Sequence, residues 1–257
     1  MINYSCHLAL FREGEQFVST HSLGMVLSGV MELDDGLHRI AFGKGDIFTS
    51  RRNHLVKFKK LPEEKGEFMS ISIYFDDDVL REVSMEQGYT ANDHVEVPAF
   101  AKLPSSTLLI SYIQSLQAYK ELPAGSNALI RLKQKEGVLL LLQQDPTLRN
   151  VLFDFSVPGK LDLEAFMKQN YHFNVKLERF AYLTGRSLST FKRDFERIFH
   201  ETPSKWLLNR RLREAYYLIK EKKKQASDIY LDLGFEDLSH FSYTFKKQFG
   251  AAPSKIA

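Results

Sequence analysis

A chain of 257 residues, 44% of them hydrophobic, has material for two domains, each with its own core. Its one cysteine, Cys6, excludes an internal disulfide and fits a reducing cytoplasm, and its longest purely apolar run, residues 138–142, is too short to span a membrane. Net charge is +3, but residues 160–257 hold 19 Lys and Arg against 12 Asp and Glu while residues 1–159 hold 16 against 20, so a polyanion should meet the carboxy-terminal part.

The amino terminus, MINYSCHLALF, lacks a basic start and a long apolar core, which predicts no signal peptide and a cytoplasmic chain without a membrane partner. From residue 16 to residue 75, short segments of mixed apolar and polar residues alternate with turn signals such as Asp34-Asp35-Gly36 and Gly43-Lys44-Gly45. This spacing predicts strands and suits a small antiparallel barrel or jelly roll. Met25, Leu27, Phe48, Phe58 and Ile73 are the candidates for an inward-facing ligand pocket, or simply for core. Arg51 and Arg52 are placed either to anchor an acidic ligand or as solvated loop charges.

At residue 76 the pattern turns helical. DDDVLREVSMEQ starts with carboxylates that favour a helix amino terminus, and a looser segment follows over residues 88–102. Two longer helices are predicted over residues 105–121 and 126–144, joined by a compact turn at Leu122-Pro123-Ala124-Gly125 into an antiparallel pair. Apolar residues wrap most of the second helix near residues 138–142, so Leu129, Leu132, Leu139 and Leu142 are candidates for a homodimer contact, burial within one chain being the alternative. Pro146, Pro158 and Gly159 break the segment 145–160, which places a domain boundary near residue 158. The predicted domains are thus 1–157, with a barrel over about 1–75 and helices over about 76–145, and 158–257.

The carboxy-terminal part repeats. Phe191, Phe195, Phe199 and Pro203-Ser204-Lys205 recur 50 positions later as Phe241, Phe245, Phe249 and Pro253-Ser254-Lys255. In each copy a short helix stops at a glycine, Gly185 or Gly234, and a second helix starts at an N-cap, Ser187 or Asp237. The phenylalanines, four apart, form a buried face. Residues 203–220 between the copies read as one amphipathic helix with Trp206, Leu208, Leu212, Ala215 and Ile219 on its apolar side. This is a tandem helix-turn-helix layout, which predicts double-stranded DNA as partner, with each second helix in a major groove. Ser189, Thr190, Lys192 and Arg193 of the first copy are candidates for base contact, as are Leu238, Ser239, His240, Ser242 and Tyr243 of the second. Arg210, Arg211, Lys246 and Lys247 are candidates for phosphate contact.

These residues make the stretch resemble the AraC/XylS family of bacterial transcription regulators. The second copy carries the family's pattern in Ile229, Gly234-Phe235, Asp237, Ser239, Phe241, Phe245-Lys246, Phe249-Gly250 and Pro253; the linker carries it in Pro203, Trp206, Arg211-Leu212 and Ala215, and the first copy in Ala181, Ser187, Arg193 and Phe195. Tyr230 departs from a usual alanine and Tyr243 from a common basic residue, which weakens base contact by the second helix. The resemblance covers about the last 95 residues. It implies an α+β chain of two domains: a cupin-like β-barrel with a helical hairpin, then an all-α domain with two helix-turn-helix motifs joined by a linker helix. It further implies a transcriptional regulator that works with RNA polymerase and whose amino-terminal domain senses a small-molecule effector or a partner. Two alternatives stay open for that domain, a protein-interaction module and a metal-dependent cupin enzyme. Against the enzyme, His21 lacks a His-x-His partner and the position four residues on is Met25, so the expectation is no metal, no cofactor and no catalytic residue, with His21 and His54 as satisfied structural histidines.

Overall fold

The segment FMSISIYF shows how the amino-terminal part is layered. Its isoleucines and serines alternate, so a strand built from it turns Ile71 and Ile73 to one side and Ser70 and Ser72 to the other. In the computed structural model, which describes residues 1–12, 16–64, 66–93, 95, 97–121 and 127–256, both sides of that strand are covered. The strands are β1 (Ile2–His7), β2 (Phe11–Arg12), β3 (Phe17–Val18), β4 (His21–Ser28), β5 (Val30–Asp34), β6 (Arg39–Phe42), β7 (Ile47–Ser50), β8 (His54–Leu55), β9 (Lys57–Leu61), β10 (Phe68–Phe75) and β11 (Phe100–Leu103). They form a five-stranded sheet in the order β1-β10-β4-β7-β11, a four-stranded sheet in the order β2-β9-β5-β6, and the ribbon β3-β8. The barrel expected from the sequence is therefore open. Strand β11 falls in the segment read as loose; it pairs antiparallel with β7 at the edge of the larger sheet.

Helices α1 (Asp77–Gln87), α2 (Thr107–Ser115), α3 (Asn127–Gln144) and α4 (Arg149–Leu152) complete this unit. A 3-10 turn, Leu116–Glu121, follows α2. The turn predicted at residues 122–125 lies outside the described residues. One core, with Leu23, Met25, Ile71, Ile73, Val79, Ile113, Val138 and Leu141, fills the space between the larger sheet and the helices. A second, with Val26, Met31, Leu33, Phe42, Phe48 and Phe68, lies on the sheet's other side. Gly24 is required there: a Cβ would stand 2.5 Å from Phe48 Cζ and 2.6 Å from Ser72 Oγ.

This layering corrects the expected pocket. Met25, Leu27 and Ile73 pack on the helical side of the sheet, whereas Phe48 and Phe58 pack with the opposite core, so the sheet itself separates them. Arg51 and Arg52 are not solvated. Arg51 is buried and donates to the Pro98 carbonyl at 3.1 Å; Arg52 pairs with Asp77, donates to the Asp154 carbonyl and lies 5.6 Å from the Phe155 ring. His21 is buried and neither ring nitrogen has a hydrogen-bond partner among the described residues, nor has Arg51 Nε. Burial, with the Arg52 and Arg51 charges nearby, pushes the His21 imidazole down to about 3, and burial lowers His54 as well. His21 is thus buried without the hydrogen bonds expected of a satisfied histidine. Of the proposed dimer residues, Leu142 belongs to the helical core, while Leu129, Leu132 and Leu139 are 47%, 63% and 39% exposed on α3.

Among the described residues, one compact unit holds residues 1–12 and 18–156 and a second holds residues 16–17 and 157–256. The second contains α5 (Leu163–Asn170), α6 (Leu177–Leu183), α7 (Leu188–Phe199), α8 (Pro203–Lys220), α9 (Ala226–Ile229), α10 (Leu238–Phe249) and a 3-10 turn at Pro253–Lys255. Gly185 and Gly234 both take positive φ, 63° and 84°, as the helix stops require. In the first hairpin Phe191 and Phe195 are fully buried, and Phe199 stands 4.6 Å from Trp206 of α8. The second hairpin repeats this: Phe241 and Phe245 are fully buried, and Phe249 stands 4.8 Å from Tyr216 of α8. Two aromatic ladders thus lean on one 18-residue helix, about 27 Å long at ~1.5 Å per residue. Leu207 of α8 is buried although the sequence reading passed over it.

Candidate nucleic-acid interface

Ser187 opens α7 by accepting the Thr190 N–H at 3.3 Å. Its hydroxyl also lies 3.1 Å from Ser189 Oγ and 3.0 Å from Thr190 Oγ1, so the two candidate hydroxyls belong to the helix-opening cluster. One turn further, Lys192 and Arg193 are exposed. Between them and the core sits Asp194, buried and paired with Arg186 at 3.2 Å. The Arg186 guanidinium holds the Asp194 carboxyl below its ordinary value. Arg193 and Arg197 both lie 3.8 Å from that carboxylate, with side chains 76% exposed. Arg197 was not among the sequence candidates, although the 50-residue repeat aligns it with Lys247.

Asp237 opens α10 in the same way, accepting the His240 N–H at 2.6 Å. Its outer side presents Leu238, Ser239, His240 and Tyr243, with Ser242 half-buried; Tyr243 is 67% exposed. Lys246 and Lys247 are exposed in the last turn. The two outer faces therefore differ in chemistry. The first offers cations and hydroxyls, the second hydroxyls, an imidazole, a phenol and a leucine, with cations only at its end. Such groups can meet base edges: cations and hydroxyls meet acceptors, and an aliphatic side chain meets a thymine methyl.

The linker arginines are placed differently from expectation. Arg211 is turned inward, where it donates to the carbonyls of Tyr171 (2.8 Å), Phe173 (2.8 Å) and Gly234 (3.0 Å). Burial pushes its guanidinium down to about 10. It is a clamp between α8 and the chain around both hairpins, not a phosphate contact. Arg210 pairs with Glu214 at 3.0 Å and lies 4.3 Å from the Tyr171 ring, so its charge is already engaged on the helix.

Residues 180–257 match the family described as Helix-turn-helix domain, and residues 21–151, half of the chain, match the family described as ExsA N-terminal regulatory domain. The chain belongs to the ExsA N-terminal regulatory domain family, with an AraC-type helix-turn-helix domain. Among relatives of this AraC-type chain, virulence regulon transcriptional activator VirF of Yersinia enterocolitica is 31% identical over 152 residues, 58% of this chain and 56% of VirF. The chain thus matches only about half the length of that relative. HTH-type transcriptional regulator ExsA of Pseudomonas aeruginosa is 24% identical over 255 residues, 98% of this chain and 91% of ExsA. The crystal structure of an apo ToxT variant from Vibrio cholerae covers 99% of this chain and 95% of its own, at 11% identity and a TM-score of 0.49. In the AraC-type domain, Tyr230 is half-buried against the core of the second hairpin. Among the described residues no helix is long and apolar enough to cross a membrane, and no group of three His, Cys, Asp or Glu side chains is arranged for a metal.

Proposed function

We propose that the chain is a sequence-specific DNA-binding regulator of transcription. The observation that carries this reading is the pair of capped helices, α7 and α10, whose buried phenylalanines lean on one rigid helix while their opposite faces stay exposed. A rod of about 27 Å suits two readers entering successive major grooves, about 34 Å apart, from one side of a duplex. Ser189, Thr190, Lys192 and Arg193 face bases at one half-site, and Leu238, Ser239, His240, Ser242 and Tyr243 at the other. Arg197, Lys246 and Lys247 hold phosphates. RNA polymerase is the second macromolecular partner, as befits a relative of proteins named transcriptional activators. The amino-terminal unit, residues 1–157, controls DNA binding or dimerisation, and the chain acts as a regulator rather than an enzyme, in the cytoplasm.

For the signal received by the amino-terminal unit, a protein contact is favoured over a small-molecule effector. The expected pocket residues stand on opposite sides of a sheet, whereas α3 exposes Leu129, Leu132 and Leu139 at helical spacing, a seam for a second copy. The DNA reading is tested by selecting bound sequences from random oligonucleotides with the full chain at moderate ionic strength. Arg193→Ala should lose ~1–3 kcal/mol and relax preference at one base pair, while Lys246→Ala weakens all sequences alike. Recovery of no preferred sequence would remove the proposal.

A further inference from the structure

The second hairpin has a conspicuous gap in charge. Along α10 no cation precedes Lys246, and of the three arginines of α8 Arg210 and Arg211 are engaged within the unit, which leaves the exposed Arg213 alone on that helix. Positive charge is supplied instead by the loop that joins α8 to α9. Lys220, Lys222, Lys223 and Lys224 fall within five residues, all exposed, and none of them forms an ion pair among the described residues although Glu221 lies between them.

This loop is a built turn. Lys223 takes a positive φ of 53°, and the Lys224 N–H donates to the Leu218 carbonyl at 3.1 Å, which closes the end of α8. Lys220 and Lys222 lie 5.4 and 5.8 Å from the rings of Tyr216 and Tyr217, and Lys220 Nζ donates to the Tyr216 hydroxyl at 3.3 Å, so both ammonium groups stand beside aromatic rings of α8. In a helix-turn-helix unit the first helix crosses the DNA backbone when the second lies in the groove. The segment leading into that first helix therefore runs beside phosphates. In the first hairpin the corresponding segment, residues 171–176, holds one lysine and no arginine.

We propose that Lys220, Lys222, Lys223 and Lys224 form a phosphate-binding turn that anchors the second hairpin on the duplex backbone. The two hairpins then divide the work: the first reads bases with Lys192 and Arg193, and the second supplies grip that depends on salt more than on sequence. This rests on the DNA-reading proposal above and extends it to residues outside both reading helices. Acidic protein surfaces and anionic lipid are the rival occupants of such a turn.

The test is the salt dependence of full-chain binding to its selected duplex, from 50 to 200 mM salt, in the wild type and in the variant with Lys222→Ala, Lys223→Ala and Lys224→Ala together. Each phosphate contact contributes about 0.9 to the slope of log affinity against log salt, so three contacts flatten it by about 2.7, and the variant's affinity falls about 40-fold less across that range. The same three positions changed to arginine should keep the wild-type slope. Trp206 fluorescence during urea unfolding checks that the variants fold equally well. An alanine variant whose slope equals the wild type's, while Lys246→Ala flattens it, would overturn the anchoring turn and leave the DNA reading intact. Absence of wild-type binding to any duplex would overturn both. Loss of binding to anionic vesicles or RNA polymerase, with the duplex slope unchanged, would likewise count against it.

Discussion

Replacing Arg211 by alanine separates an internal clamp from a DNA contact. Three hydrogen bonds from a cation to carbonyls are worth about 1.5–3 kcal/mol each, or about 6 kcal/mol together. Enclosing the guanidinium, which burial holds down to about 10, offsets part of this. The net loss expected for Arg211→Ala is therefore on the order of 3 kcal/mol, which lowers a urea midpoint by about 1–3 M. Trp206 is the chain's one tryptophan and packs on Phe195 and Phe199, so its emission during a urea titration of the full chain reports this unit alone. Arg211→Lys keeps the charge without the planar fork and should recover only part of the loss. The opposite outcome, an unchanged midpoint in Arg211→Ala with a flatter salt dependence of DNA binding, would return Arg211 to the phosphate role and refute the clamp.

Other residues give sharper tests of the amino-terminal unit. The folded chain holds His21 near 3 while an unfolded histidine titrates near 6.5, so between these values the unfolded state takes up the proton and stability falls as pH falls. From pH 7 to pH 5 the loss should be about 2 kcal/mol by calorimetry, and His21→Leu should lessen it; equal pH dependence in both proteins would clear His21 of the effect. Leu132→Glu with Leu139→Glu should halve the mass seen by light scattering without unfolding the chain, since both side chains are exposed, and an unaltered mass would remove α3 from any dimer. Gly137→Ala should destabilise by ~2 kcal/mol despite alanine's better helix propensity, because its Cβ would collide with the Tyr112 hydroxyl, and a more stable variant in thermal melts would contradict the packing.

The helix-turn-helix half was readable because each of its signals is local. A glycine stop, a capping side chain and phenylalanines four apart all fall within about twenty residues, and the duplication shows them twice. What escaped depends on distant partners. Arg210 and Arg211 are neighbours of the same type, yet only Arg211 meets carbonyls 23 to 40 residues away along the chain, and no spacing rule reveals that. In the strands, burial on both sides erased the contrast that would have told the faces apart: β4 is buried from His21 to Val26, so Met25 and Leu27 looked equivalent to Phe48 although they enter a different core. Strand β11, four residues at a sheet edge, is defined by its pairing with β7 and has little pattern of its own. Arg197 could have been found by carrying the repeat one residue type further, from Lys247 back across 50 positions.

The shared helix α8 also sets a phase. Trp206 and Tyr216, on which the two ladders lean, stand ten residues apart, roughly 15 Å along an unbroken helix. A single residue added between them would swing one hairpin by about 100° around the axis while advancing it only about 1.5 Å. Angular register, more than distance, is what such an insertion destroys, so the length of this segment admits no gradual adjustment.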